Sequence, residues 1–371
     1  MTESYESLRR LLSDAGYTFV EPPVVHPASV FVELAGEDLR RRLYLTSAED
    51  GTELALRPDY TIPVCLQHLA TGPAKRRAAY AYLGPVFRMR PGESGESRQA
   101  GVESLGRTDR VAADADVLKL AFAVSTLLGV KRPHATIGDS ALFAALLDQL
   151  DLSPPWRRRL ARAFGDTARL KGFIARANGK PKVSTSRSEL DGASLAQVKA
   201  AVEDHFATTG LGAVGGRTAG EIAERFIEKA ALAQGIRPRA AAALSAFLVI
   251  KDTPAKAAAA LRALAKREKL DLGKALERFE KRAAAFAAHG VDLDRLTFAA
   301  DFGRRLDYYT GFVFEFRKGK ATGEPIIGGG RYDHMTALIP RSSRETTARV
   351  AVPAVGFAVW LDRFAGQGKT P

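Results

Sequence analysis

Charged and hydrogen-bonding side chains gather in four short segments of the 371-residue sequence. These segments are LALRPDYT (residues 54–61), GPVFRMRPGESGESRQAGVESLG (84–106), FGRRLDYYTGFVFEF (302–316) and IIGGGRYD (326–333). The glycines of the fourth segment are not followed by the lysine and serine or threonine of a phosphate-binding loop, and they lack GxGxxG spacing. None of the four segments indicates a general hydrolase or dehydrogenase, so their chemistry must be read from individual side chains.

The first segment offers an anion beside a hydroxyl group. Pro58 restricts the backbone after Arg57, and Asp59 and Thr61 follow near the end of a predicted strand. A carboxylate and a hydroxyl together suit a bound ammonium group. The same residues also fit the start of a helix, because aspartate is a common N-cap. The residues alone leave both interpretations open.

The second segment predicts a strand, a polar turn and a second strand, which carry Arg88, Gln99 and Glu103. An arginine can form paired hydrogen bonds with a carboxylate or a phosphate. A glutamate inside a strand is costly to bury unless it meets a donor or a cation, so Glu103 is a candidate ligand contact. Ordinary alternation on an exposed strand would explain the same pattern.

The third and fourth segments surround a second strand pattern. Arg304, Arg305, Tyr308 and Tyr309 precede a stretch in which phenylalanines alternate with other residues. The glycines at 328–330 would let the backbone approach a ligand closely, or they would simply form a tight turn.

The elements that must position these segments change in character along the chain. Residues 1–150 and 291–371 contain most of the strand patterns, whereas residues 151–290 are rich in alanine at helical spacing. We expect the two outer parts to complete one antiparallel sheet with flanking helices, and the middle part to form a helical insertion. The predicted fold class is therefore α+β.

Shorter patterns give local predictions. Apolar spacing predicts helices over residues 5–15, 60–69, 114–128 and 354–364. Alternation and β-branched residues predict strands over 18–25, 30–34, 41–46, 53–57, 78–90, 100–106 and 311–319. The glycines of the fourth segment predict a turn at 326–333.

Composition narrows the class of protein. The single cysteine, Cys65, cannot form an intramolecular disulfide or a thiolate zinc site, and its apolar surroundings favour a buried thiol. The N-terminus lacks the basic and apolar regions of a signal peptide, and no apolar run approaches ~18 residues, so we expect a cytoplasmic protein outside the membrane. The net charge of +13 permits a polyanionic partner. The densest basic cluster, residues 157–162, is nevertheless typical of a solvated helix face.

Together and in this order, the four segments resemble histidyl-tRNA synthetases, which are class II synthetases. LRPDYT resembles the LRPEGT segment of that family, and GPVFR resembles the start of motif 2. RRLDYYTG resembles the histidine-specific RGLDYY segment, and GGGRYD followed by AVGFAVWLDR resembles GGRYD and motif 3. The resemblance runs from about residue 5 to residue 364 and is weakest in the helical part. It implies the class II synthetase fold.

The resemblance also implies a histidine-binding site. The matching residues are Asp59, Thr61, Arg88, Gln99, Glu103, Arg304, Tyr308 and Tyr309. Asp59, Thr61 and Gln99 match contacts to the ammonium group of the substrate. Glu103 matches the glutamate that faces the imidazole, and Arg304 matches the arginine near the carboxylate. The resemblance implies no metal ion and no other cofactor.

Other positions depart from the synthetase pattern. Arg90 replaces the glutamate of the family's FRxE sequence, and the turn at 91–97 is shorter than the synthetase loop. Trp360 replaces a motif 3 glycine that lets adenine approach the backbone, although Arg363 matches the motif 3 arginine. The chain also ends just after motif 3, where synthetases continue. We therefore expect a damaged ATP site and no anticodon-binding domain.

A histidine site without ATP and anticodon machinery resembles the synthetase paralogues that pair with the short-form ATP phosphoribosyltransferase catalytic subunit. The resemblance implies a non-catalytic regulatory subunit, required for the partner's activity in the first step of histidine biosynthesis and sensing histidine for feedback inhibition. It also implies a homodimer within a hetero-oligomer, formed through a motif 1-like region at residues 16–35, and it argues against tRNA as a partner.

Three other interpretations compete with this one. A catalytic histidyl-tRNA synthetase is favoured only by the net charge. Another synthetase paralogue that modifies a protein or makes a small molecule would need an intact ATP site. A scaffold with a vestigial pocket conflicts with the number of retained polar residues, because unpaired buried charges would destabilise the fold.

Overall fold

The computed structural model describes residues 2–92, 94–178, 194–209, 218–304, 308–318, 323–339 and 350–364. Arg305 and the frayed end expected at 365–371 lie outside the described residues. The helices are α1 (Thr2–Asp14), α2 (Ala28–Arg40), α3 (Thr61–Ala70), α4 (Arg110–Leu127), α5 (Ser140–Gln149), α6 (Pro154–Arg162), α7 (Thr167–Asn178), α8 (Leu195–Thr209), α9 (Ala219–Ala233), α10 (Pro238–Leu248), α11 (Pro254–Glu268), α12 (Gly273–Ala288) and α13 (Met335–Leu338). The strands are β1 (Thr18–Phe19), β2 (Val25–Pro27), β3 (Leu45–Ser47), β4 (Glu53–Leu56), β5 (Ala78–Phe87), β6 (Glu96–Leu105), β7 (Ala135–Asp139), β8 (Lys251–Asp252), β9 (Leu296–Ala299), β10 (Phe312–Arg317), β11 (Pro325–Arg331) and β12 (Ala354–Trp360). Across these ranges no helix combines the length and apolar character needed to cross a membrane.

Nine strands form one mixed sheet in the order β1-β5-β6-β12-β11-β10-β7-β9-β8. The pairs β1–β5 and β7–β9 are parallel, and the remaining neighbours are antiparallel. Three strands from the C-terminal part of the chain lie between β6 and β7 of the N-terminal part. The α+β prediction is confirmed, although the sheet is mixed rather than wholly antiparallel.

The main apolar core lies between this sheet and the helices. Helix α4 packs against β10, β11 and β12, and it buries Val117, Leu118, Ala121 and Val124. The helical segment joins the same core, because α12 packs on α4 and α5. Helices α6–α12 occupy the region predicted to be helical. The domain boundaries at 150 and 290 remain a prediction.

A second, smaller core positions the residues that precede α3. Strands β2, β4 and β3 form an antiparallel sheet in that order. Helices α2, α3 and α13 bury apolar side chains near it, including Phe31, Leu34, Ile62 and Met335. The helix predicted over residues 60–69 is confirmed as α3, and Cys65 is a buried free thiol in it, as predicted.

Three local predictions were wrong. Residues 30–34, predicted as a strand, lie inside α2, because Val30, Phe31 and Leu34 share one buried helical face. Most of the turn predicted at 326–333 is strand β11. The helix predicted over 354–364 is mainly β12, with a single 3₁₀ turn after it. A strand covered on both faces has a continuous apolar run, which periodicity alone does not distinguish from a helix.

Five charged side chains form what we call the interior ion-pair network: Asp114, Asp139, Arg282, Arg331 and Asp333, all buried. Asp114 on α4 accepts hydrogen bonds from Arg282 on α12 at 2.8 Å and from Arg331 on β11 at 2.6 Å. Arg282 also donates to Asp139 at 2.5 Å, and Arg331 donates to Asp333 at 2.8 Å. The network therefore joins the helical segment to the strand that carries the fourth polar segment.

Candidate ligand-binding site

The eight polar residues singled out in the sequence all line one cavity. They are Asp59, Thr61, Arg88, Gln99, Glu103, Arg304, Tyr308 and Tyr309. Residues far apart in the sequence meet here because β12 and β11 of the C-terminal part lie beside β6 of the N-terminal part.

Strand β6 contributes to the cavity through alternate residues. Gln99, Gly101 and Glu103 share one face, because side chains alternate along a strand, while the intervening residues join the main core. A Cβ atom at Gly101 would collide with the Tyr82 hydroxyl and the Phe357 carbonyl. Gly101 therefore lets β5 and β12 pack closely against β6, the strand that carries Gln99 and Glu103.

The loop before α3 supplies a buried carboxylate. Asp59 is 4% exposed, and its Oδ1 lies 3.5 Å from the amide nitrogen of Ile62. Oδ2 lies 3.6 Å from Nη2 of Arg88 and has no hydrogen-bond partner within the described ranges. Burial raises the pKa of Asp59, and the positive charge of Arg88 opposes this. The helix-start interpretation accounts for one long contact and leaves the second oxygen unpaired.

Gln99 is fixed against the start of the same helix. Its side-chain oxygen accepts a hydrogen bond from the backbone amide of Tyr60 at 3.2 Å, and the residue is 1% exposed. Thr61, the first residue of α3, is also buried. The candidates for binding an ammonium group therefore lie on β6 and at the start of α3, and a hydrogen bond joins these two elements.

Glu103 lies near the C-terminal end of β6 and is 1% exposed. The Tyr332 hydroxyl donates a hydrogen bond to its Oε2, whereas Oε1 has no partner in the described part of the chain. Burial raises the pKa of Glu103 to about 8, although the Tyr332 hydroxyl opposes the shift. Gly356 on the neighbouring strand leaves room for this carboxylate, since a Cβ there would overlap Oε2.

Arg304, from the third segment, lines the same cavity as the two carboxylates. Its guanidinium lies over Gly328, where a Cβ atom would overlap Nη1. Nε and Nη1 are buried without hydrogen-bond partners among the described residues. The glycine expected to approach a ligand or to form a turn thus makes room on β11 for an arginine side chain.

An indole fills part of the remaining space. Trp360 lines the cavity and is 8% exposed. Its ring centroid lies 5.5 Å from Cζ of Arg304 and 4.6 Å from Cζ of Arg363. Burial lowers the pKa of Arg363 to about 10, and nearby guanidinium groups, including that of Arg304, add to the effect. At the position where the synthetase pattern has a glycine, the Trp360 indole therefore lies close to the guanidinium groups of both Arg304 and Arg363.

The arrangement favours binding over covalent chemistry. Its buried unpaired atoms are acceptors at Asp59 and Glu103 and donors at Arg304, which suit a small ligand carrying both charges. Burial raises the pKa of the Cys65 thiol well above its usual value, which makes it a poor nucleophile. The described residues contain no cluster of three or more His, Cys, Asp or Glu side chains able to hold a metal ion.

Sequence reasoning missed four residues of the cavity lining, Tyr332, Gly356, Phe357 and Ala358, of which the first two lie against Glu103. Tyr332 was part of the fourth segment, but only its glycines were considered there, and its hydroxyl holds Glu103. Gly356 belongs to the stretch predicted as a helix, so its place opposite Glu103 was not foreseen. Assigning β12 as a strand would have revealed the second of these.

Comparisons with known proteins agree with the fold and the motifs. The histidyl-tRNA synthetase family model matches residues 1–209 and 222–364. The structure is similar to one described as an ATP phosphoribosyltransferase regulatory subunit/histidyl-tRNA synthetase from Bacillus halodurans, with a TM-score of 0.67 and 21% identity, covering 98% of this chain and 78% of that one. It is also similar to histidyl-tRNA synthetase from Nostoc, with a TM-score of 0.63 and 18% identity, covering 98% and 70%. These structures share the class II synthetase fold.

Sequence relatives are more specific. A protein from Brucella ovis named ATP phosphoribosyltransferase regulatory subunit is 39% identical over 370 residues, covering 97% of this chain and 96% of the relative. A protein of the same name from Brucella melitensis biotype 1 is also 39% identical and is covered over 95% of its length. The curated names describe regulatory rather than catalytic subunits, in agreement with the expectation from the altered motifs. The chain therefore belongs to the histidyl-tRNA synthetase family and, within it, to the ATP phosphoribosyltransferase regulatory subunits.

Proposed function

We propose that this chain is a histidine-sensing regulatory subunit that pairs with a short-form ATP phosphoribosyltransferase catalytic subunit. It is required for that partner's activity and transmits feedback inhibition in the first step of histidine biosynthesis. One observation carries the proposal: a single cavity gathers two carboxylates and a guanidinium whose unpaired atoms complement an amino acid. The names of the relatives supply the class of the partner, and a cytoplasmic location remains a prediction.

Histidine complements the cavity group by group. Its ammonium pairs with Asp59, supported by Thr61 and Gln99, and its carboxylate pairs with Arg304. Its ring N–H donates to Oε1 of Glu103, the oxygen that Tyr332 leaves available. Buried polar groups without partners are costly, so a ligand that pairs them gains more than the same contacts would give in water.

Histidine acts at a distance through linkage. A ligand that binds two states of an assembly with different affinity shifts the balance between them. The inhibited state of the complex is therefore the one in which this cavity binds histidine more tightly. The catalytic site itself lies on the partner.

We also propose that the chain forms a homodimer within the hetero-oligomer. The region at 16–35 that resembles motif 1 includes two partly exposed apolar residues, Val24 at 36% and Val25 at 43%. Leu45 on β3 is 51% exposed in the same small sheet. Light scattering at micromolar concentration should give twice the chain mass, and a strict monomer would contradict the proposal.

A catalytic synthetase is the competing function, and its test is direct. Arg90 and Trp360 replace residues of the ATP site, and the Trp360 indole occupies space between two arginines. We therefore expect no histidine-dependent exchange between ATP and pyrophosphate, with an authentic histidyl-tRNA synthetase as positive control. Exchange clearly above background would instead support a catalytic synthetase.

The decisive experiment reconstitutes the complex. The purified chain is mixed with a short-form catalytic subunit, and phosphoribosyl-ATP formation is followed with and without histidine. We expect product formation to depend on this chain and to fall when histidine is added. Equal rates with and without the chain would contradict the regulatory role, whereas dependence on the chain without a histidine effect would contradict only the sensing.

A further inference from the structure

A second concentration of charge lies on the helical segment, on helices α6 and α7. Residues 154–178 contain seven arginines and lysines and one acidic residue, Asp166. None of these residues lines the cavity described above. The segment therefore carries an excess of positive charge that the proposed histidine site does not use.

Three of these arginines surround one aromatic ring. The Cζ atoms of Arg159, Arg169 and Arg176 lie 4.4, 5.4 and 6.0 Å from the ring centroid of Phe173. Attraction between a cation and the ring helps to hold each guanidinium there. The ring does not relieve their mutual repulsion, so the three side chains together form a concentration of positive charge. We call these residues the arginine triad.

The arginine triad differs from its neighbours on α6. Arg157 pairs with Asp148 at 3.0 Å, and Arg158 lies 3.7 Å from Glu228. In contrast, no member of the triad forms a side-chain hydrogen bond or ion pair within the described ranges. Among the described residues, carboxylates therefore pair with Arg157 and Arg158, whereas none pairs with Arg162 or with the arginines of the triad.

The surroundings of the triad favour an acidic protein segment over a nucleic acid. Single-stranded nucleic acids bind through basic grooves combined with aromatic faces on which bases stack. Here Phe173 and Trp156 are 4% and 5% exposed, so neither offers a free face. Guanidinium groups form paired hydrogen bonds with carboxylates, and three of them close together suit two or three acidic side chains.

We propose that Arg159, Arg169 and Arg176 form a docking surface for an acidic segment of the catalytic subunit. The identity of this partner rests on the proposed function. Complementary charge speeds association and fixes orientation, and placing like charges opposite each other weakens binding. The surface lies on the helical segment, whose last helix, α12, belongs to the interior ion-pair network.

The test compares charge-reversed forms of the full-length chain. R159E/R169E/R176E is titrated with the purified catalytic subunit by calorimetry at low and high NaCl concentration. We expect at least about tenfold weaker binding than for the parent and a smaller dependence on salt. K256E/K266E/K274E, which makes the same charge change at other exposed positions, should bind within about threefold of the parent.

Two further measurements separate docking from folding and from the cavity. R159K/R169K/R176K keeps the charge and should retain most of the affinity, and R159Q/R169Q/R176Q replaces the charge-reversed variant if that variant does not fold. Histidine binding by the free R159E/R169E/R176E chain should equal that of the parent.

Each contrary result has a distinct meaning. A parent chain that does not bind the catalytic subunit overturns the proposed function and this inference with it. A complex that forms and responds to histidine, but is unaffected by charge reversal at the triad, overturns the docking surface alone. Equal weakening by the lysine control also overturns it.

Discussion

Two groups of buried polar side chains in this molecule differ in how completely they are paired. In the interior ion-pair network, each arginine donates to two carboxylates at 2.5–2.8 Å. In the cavity, and among the described residues, Asp59 and Glu103 each keep one oxygen without a hydrogen-bond partner, and Arg304 keeps two nitrogens unpaired. The first group is complete within the chain, whereas the second requires another molecule to complete it.

The pKa shifts of the two groups express the same difference. Burial opposes the charge of Arg282, but the carboxylates of Asp139 and Asp114 outweigh it and raise the pKa of that guanidinium, which favours its charged form. At Glu103, burial dominates and raises the pKa to about 8, which disfavours the charged form at neutral pH. The complete pairing in the network thus favours the charged forms of its buried side chains. The incomplete pairing in the cavity leaves polar atoms that a ligand can bind.

The largest expected effect comes from removing a carboxylate from the interior ion-pair network. Asp114→Ala removes the carboxylate shared by Arg282 and Arg331 and leaves two guanidinium groups underpaired in the interior. We expect the free energy of unfolding to fall by about 3–5 kcal/mol, measured by urea denaturation. Asp148→Ala breaks the exposed pair with Arg157 and should cost less than about 1 kcal/mol. Similar losses in the two variants would refute the structural role of the network.

Removing a carboxylate from the cavity should affect histidine binding more than it affects the stability of the fold. Glu103→Ala removes the acceptor proposed for the imidazole N–H, and an unpaired buried donor costs about 1–3 kcal/mol. Calorimetry should show roughly ten- to a hundredfold weaker histidine binding, with blunted feedback inhibition and largely intact basal activity in the complex. Glu96→Ala, an exposed glutamate on the same strand, is the matched control. Histidine binding equal to that of the parent would show that the pocket has been assigned wrongly.

Much of the polar lining of the cavity could be predicted from the sequence. Segments with an unusual density of charge at strand ends stand out, and the structure brings all eight selected side chains to one cavity. The resemblance to a known family supplied their order and their partners. A single alternating strand such as β6 is also readable, because Gln99 and Glu103 are four residues apart and share a face.

The interior of the sheet was harder to predict, for physical reasons. β11 and β12 are covered on both faces, so their apolar residues do not alternate with polar ones. The glycines of β11 favour a turn when read from the sequence, because no local pattern shows that Gly328 makes room for the Arg304 side chain. The interior ion-pair network was not foreseen either, since its members are separated by up to 217 positions and have no local pattern.

The last effect is graded with pH and comes from titrating one unpaired carboxyl group. The pKa of Glu103 is about 8 in the folded chain against an ordinary value of 4.5. Between these values the unfolded chain has released its proton while the folded chain retains it. The free energy of unfolding should therefore decline as pH rises from about 5 to 8, by at most about 1.4 kcal/mol per pH unit, and level off above that.

Glu103→Gln removes this titration, so urea denaturation of parent and variant should diverge as pH rises, with the variant relatively more stable at pH 8 than at pH 5. His26 and His68, whose pKa values are lowered by burial, titrate in both chains and cancel in the difference. Asp59 has a raised pKa of the same sign and is likewise common to both. Saturating histidine should shrink the divergence, because a ring N–H donated to Glu103 favours its charged form. Parallel pH profiles for parent and variant would mean that water or a neighbouring group already satisfies Glu103, and that this cavity is as complete as the network.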